Sequence, residues 1–72
     1  MKKESNKKYK IKNNGMFVYD KMTVRNIHDN KIKYISWKSA VEVDENTASI
    51  FTEDEVKYMK DTYGKIKVIE VE

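Results

Sequence analysis

The sequence predicts a small α+β domain: a curved antiparallel sheet of four to five strands with one helix, in the order β-β-β-(β)-α-β. Three observations carry this reading. Thr52-Glu53-Asp54-Glu55 is a capping box, in which the Thr52 hydroxyl accepts from the Glu55 amide and the Glu55 carboxylate accepts from the Thr52 amide. Asn14-Gly15 and Asp29-Asn30 are turn pairs, each flanked by short runs rich in β-forming residues. The chain has 72 residues, no Cys and no Pro. It is therefore read as one domain that buries only about 60% of its unfolded surface, with no disulfide or thiolate metal site to support it.

Tyr9-Lys10-Ile11-Lys12 alternates with period two and reads as a strand. Asn14-Gly15 suits a type I′ turn, and Met16-Phe17-Val18-Tyr19 returns, with Ile11 facing Val18 and Lys10 facing Tyr19. Asp20-Lys21 interrupts the apolar run and reads as a bulge, a turn or an exposed patch on a long strand. Met22–His28 and Lys31–Trp37 form the next hairpin. Closing it at Asp29-Asn30 pairs His28 with Lys31, Ile27 with Ile32, Arg25 with Tyr34, Val24 with Ile35 and Met22 with Trp37. Period two then gathers Ile11, Val18, Met22, Val24, Ile35 and Trp37 on a core face, provided no bulge at Asp20 changes the parity. The second face carries Lys12, Phe17, Tyr19, Arg25 and Tyr34.

Ala40-Val41-Glu42-Val43 either extends the sheet or crosses its edge, and Asp44–Thr47 is a polar loop. Ala48–Phe51 leads into a helix spanning about Glu53 to Thr62. Phe51 and Val56 occupy the two positions of a hydrophobic staple, and three acids lie at the positive end of the helix dipole. Val56, Met59 and Tyr63 make a narrow apolar stripe, with Tyr58 off it. Gly64 suits the left-handed residue that ends the helix. Lys65–Glu72 is the last strand. Its alternation slips at Val68-Ile69, which implies either cover on both faces or a bulge.

Charge is unevenly distributed. Residues 1–36 hold ten Lys/Arg against three acids, and residues 37–72 hold five Lys against nine acids. Residues 1–8, with Lys2, Lys3, Lys7 and Lys8, read as a disordered basic arm ahead of a 9–72 domain. The arm has no apolar segment of the signal-peptide kind, and no apolar run nears the ~20 residues of a membrane span, so the expected compartment is the cytoplasm.

No catalytic constellation, cofactor loop or metal site is expected. His28 is the sole His, beside a turn where a solvated His is the common case. One His and no Cys cannot supply a zinc site or a nucleophile–base pair. The acids at 53–55 are accounted for by the cap. What remains is binding. Lys10, Lys12, Arg25, Lys31 and Lys33 with Phe17, Tyr19 and Tyr34 form the candidate surface. Bases stack on such aromatics while cations take phosphates, so nucleic acid is one partner class. A protein partner is the preferred class, because one helix covers only one side of a sheet and leaves aromatics exposed on the other. A homodimer would also cover them.

The segment from Tyr34 onward runs as strand, polar loop, Ala48-Ser49-Ile50-Phe51-Thr52-Glu53-Asp54-Glu55 opening a helix, and Lys65-Ile66-Lys67-Val68-Ile69-Glu70-Val71-Glu72 closing it. This half of the chain resembles short accessory proteins of phages and prophages in low-GC Gram-positive bacteria. The resemblance implies a non-enzymatic factor that binds and modulates a host or defence protein, as anti-CRISPR inhibitors do. It assigns no functional residues.

Overall fold

The computed structural model describes residues 7–71. Four strands and one helix follow the order β1 (Lys8–Asn13), β2 (Met16–Arg25), β3 (Ile32–Ser39), α1 (Glu53–Tyr63), β4 (Ile66–Val71). The strands form one antiparallel sheet in the order β3-β2-β1-β4, with α1 on one side. The expected α+β class holds, with four strands. Ala40–Val43 adds no fifth: it is a turn closed by the Val43 amide on the Ala40 carbonyl at 3.2 Å. The first six residues of the expected basic arm lie outside the described residues, and Lys8 already belongs to β1.

Asn14 and Gly15 both have positive φ, 55° and 78°, as a type I′ turn requires. They set the expected register, Lys12 opposite Phe17 and Asn13 opposite Met16. The ladder then stops, so Ile11/Val18 and Lys10/Tyr19 do not continue it. Residues 49–51 enter the gap instead. The Ser49 amide donates to the Val18 carbonyl at 3.0 Å, and Phe51 and Tyr9 exchange backbone bonds of 2.8 and 3.0 Å. This wedge satisfies backbone groups of two strands that have parted.

The β2–β3 register differs from the expected one. Met22 lies opposite Ser36, Thr23 opposite Ile35, Val24 opposite Tyr34 and Arg25 opposite Ile32. The turn is wider than Asp29-Asn30. It spans Asn26–Lys31, closed by the Asn26 amide on the Lys31 carbonyl and the Asn30 amide on the Asn26 carbonyl, each at 2.8 Å. Asn30 takes the left-handed conformation there, with φ 61°. Two bulges accompany the change. Asp20, with φ 56°, and Lys21 together oppose a single residue, and Lys33 is extra in β3. Asp tolerates the left-handed region better than most residues.

The bulge at Asp20 inverts the alternation of β2. Val18 faces the helix before it, and Lys21, Thr23 and Arg25 do so after it, where they bond helix carboxylates. Met22 and Val24 therefore leave the expected core. Met22 is 59% exposed. Ile11, Val18 and Ile35 are buried as expected, joined by Phe51, Val56 and Met59, while Trp37 packs half-buried against them. Tyr58, expected off the apolar stripe, also packs on this core. Tyr63 sits at its rim, edge-on to Trp37 with ring centroids 5.3 Å apart.

The helix begins at the expected residue and ends one residue later than expected, at Tyr63. Gly64 follows with the positive φ expected, 78°, but with ψ −44°, outside the left-handed helical region, and donates to the Lys60 carbonyl at 3.0 Å. β4 pairs without interruption from Ile66 opposite Asn13 to Val71 opposite Lys8, so the slip at Val68-Ile69 is not a bulge. Ile66 and Val68 face the core, and Ile69 and Val71 lie half-buried on the other face.

Candidate binding surface

The two sides of the sheet have different chemistry. On the helix side, the start of α1 is tied to β2 by charge. The Thr52 amide donates to Glu55 Oε1 at 2.9 Å, which fills one half of the capping box. The Thr52 oxygen faces the Glu55 amide, while its hydroxyl proton goes to Asp54. Glu55 is only 5% exposed, and it also accepts from Lys21 Nζ at 2.8 Å and the Thr23 hydroxyl at 2.6 Å. Burial opposes ionisation of Glu55. Its hydrogen bonds from Lys21, Thr23 and the Thr52 amide, with the charge of Lys21, override that and hold the carboxyl below its ordinary pKa. Asp54 is lowered as well, first by the hydrogen bond from Arg25 at 2.9 Å and then by that from Thr52.

The acids at 53–55 thus do more than cap a helix. The extra role was hidden in the sequence because it depends on the parity change at Asp20. Thr52→Ala should cost about 1 kcal/mol, since the amide-to-Glu55 half of the box survives the loss of the hydroxyl. Urea denaturation of the variant measures this, and an unchanged midpoint would show that the hydroxyl contributes nothing to the cap.

The side of the sheet away from the helix is the open face. Lys8, Lys10 and Lys12 of β1 alternate onto it, next to Lys67, Ile69 and Val71 of β4. Phe17, Tyr19, Met22 and Val24 of β2 continue it, and Tyr34, Ser36 and Lys38 of β3 complete it. Lys12 lies directly opposite Lys67, a like-charged pair that a sheet ordinarily avoids. Lys12 Nζ also sits 4.8 Å from the centroid of the Phe17 ring. Lys10 donates to the Glu45 carbonyl. Tyr34 is 49% exposed. Lys38 on this face pairs with Asp20 at the bulge, at 3.4 Å.

Of the eight residues singled out from the sequence, the structure brings five together on this face: Lys10, Lys12, Phe17, Tyr19 and Tyr34. Arg25 is not among them. The Asp20 bulge turns it to the helix side, where it bonds Asp54 and the Asn30 carbonyl. Lys31 is exposed in the Asn26–Lys31 turn, and Lys33 is the extra residue of the β3 bulge. Lys8, expected in the basic arm, Met22 and Val24, expected in the core, and Lys67 also lie on this face. For the two lysines the signal was present, as period-two alternation in β1 and β4.

Among the described residues there is no group of three or more His, Cys, Asp or Glu that could hold a metal, and no helix long and apolar enough to cross a membrane. His28 is exposed in the β2–β3 turn. No protein-family model, curated protein or solved structure matches the chain.

Proposed function

We propose that this chain is a non-enzymatic binding domain that docks a protein partner on the open face of its sheet. The observation that carries this is the exposure of Met22 and Tyr34 beside Val24 on a face the helix leaves uncovered. Adjacent exposed apolar side chains of this kind, rimmed by lysines, are the usual composition of a partner surface. The flanking Lys8, Lys10, Lys12 and Lys67 favour a partner with acidic groups around its contact patch. A phage or mobile-element accessory factor that modulates a host or defence protein is a role this surface suits.

A second reading is a small nucleic-acid-binding module, favoured by the same four lysines. Two features weigh against it. Lys12 already covers the Phe17 ring, which removes a stacking platform, and Arg25 is engaged by Asp54.

The test compares capture by the wild type and by a Met22→Glu/Tyr34→Glu variant from a nuclease-treated bacterial lysate, alongside gel shifts with an oligonucleotide at low and moderate salt. A stoichiometric protein retained by the wild type and lost by the variant is expected. Equal capture by both chains overturns the docking face. A shift at low salt that fades as salt rises transfers the assignment to nucleic acid.

A further inference from the structure

The two edges of the sheet are not alike. β3, at one edge, is interrupted by the bulge at Lys33 and carries Lys31, Lys33 and Lys38 along or beside it, devices that discourage strand addition. β4, at the other edge, has neither bulge nor Pro. Its six residues pair with β1 in an unbroken register, and four of them are Ile or Val. Among the described residues its outer side has no backbone partner. An unbulged edge rich in Ile and Val is a template for another strand.

The order of charge along β4 selects the strand it fits. Lys65 and Lys67 precede the Ile/Val centre, and Glu70, whose carboxylate lies 3.9 Å from Lys7 Nζ in an exposed ion pair, follows it. Antiparallel addition of a second β4 sets the basic end of each strand beside the acidic end of the other, whereas parallel addition sets like against like. Lys67 lies on the open face and Glu70 on the helix face, so the gain comes from charge order along the edge and not from one fixed ion pair.

We propose that two copies of this chain associate by antiparallel pairing of their β4 edges about a two-fold axis perpendicular to the sheet. The product is an eight-stranded sheet with both helices on one side and both open faces on the other. The lysines of β1 and β4 then form one continuous strip across the dimer. Pairing also removes the one edge without a bulge and adds buried apolar area to a chain short of it.

Sedimentation equilibrium from micromolar to near-millimolar protein, with amide hydrogen exchange read at both ends of that range, tests this. Mass rising toward twice the monomer is expected, with exchange slowing selectively in residues 66–71. Glu70→Lys, which makes the strand uniformly basic, should weaken self-association at least tenfold. Mixing it with Lys65→Glu/Lys67→Glu should restore a dimer of the mixed kind. A monomer throughout the range overturns the proposal, and so does a dimer whose β4 exchange is unchanged. Lysate capture with loss of binding in the open-face variant can succeed whichever way this experiment falls, so the two assignments stand or fall separately.

Discussion

Phe51→Ala should leave the chain largely unfolded at 25 °C. Phe51 is fully buried and does three things at once. Its backbone exchanges two hydrogen bonds with Tyr9, which holds the wedge in the sheet. Its ring belongs to one buried cluster with Val56, the other staple position, and with Ile11, Val18, Ile35 and Met59. Lys21 Nζ lies 5.0 Å from its centroid. Truncation removes a large aromatic and leaves a cavity between sheet and helix, a loss of about 4 kcal/mol. A domain of this size without disulfide or metal commonly has only about 3–5 kcal/mol in total. Circular dichroism at 25 °C, followed by a thermal melt, checks the outcome. A cooperative transition close to that of the wild type would contradict the role given to the wedge. Phe51→Met, which keeps most of the volume, should cost about 1.5 kcal/mol and remain folded.

Glu55→Gln should be the second most damaging change, at about 3 kcal/mol, although it is nearly isosteric. The carboxylate accepts from Lys21, Thr23 and the Thr52 amide. An amide has one acceptor oxygen, and its NH₂ group would point a donor at donors. Lys21, held largely out of water by the fold, would also lose its counter-charge. Adding Lys21→Met to Glu55→Gln should therefore recover part of the loss, because removal of both charges is far less damaging than stranding one.

The same group sets an acid limit. Its folded-state pKa lies below the unfolded value, so its contribution is complete above the ordinary glutamate value of about 4.3 and fades as pH falls through the folded value. Asp54, also lowered, adds to stability in the same direction. Stability measured by urea titration between pH 7 and pH 3 should decline toward acid in the wild type and decline less steeply in Glu55→Gln. Parallel curves for the two chains would remove Glu55 from the account.

Local grammar in this chain was legible where a short stretch decided it. The Asn14-Gly15 turn, the Thr52 cap and the Gly64 stop involve neighbours in sequence, and each lies where the residues placed it. The candidate surface was half legible. Lys10, Lys12, Phe17 and Tyr19 flank one tight turn, so their common face followed from period two alone. Arg25, Met22 and Val24 lie beyond Asp20, where a single residue of backbone changed sides for everything after it. Asp20-Lys21 marked the place, as a bulge, a turn or an exposed patch, but nothing local chose among the three. What selected it was distant: Glu55, 34 residues along the chain from Lys21, needed donors beneath it. Burying a carboxylate with three donors outweighed keeping Met22 inside. Tyr58 was misplaced for a related reason, since a stripe counted from Val56, Met59 and Tyr63 ignores the breadth of sheet that a helix crosses.

The entry of residues 49–51 between β1 and β2 bears on how the chain reaches this structure. A meander of hairpins can zip from its turns outward, each contact prepared by the one before. Here the first hairpin stalls two pairs from its turn, and its next partners lie 31 residues away for Val18, at Ser49, and 42 for Tyr9, at Phe51, beyond β3 and the Ala40–Thr47 loop. The loop must close before the centre of the sheet exists, and the entropy of that closure falls on the barrier rather than being spread over small steps. Lengthening the Ala40–Thr47 loop should slow that closure while leaving the strand pairing and the hydrogen bonds of residues 49–51 to β1 and β2 in place.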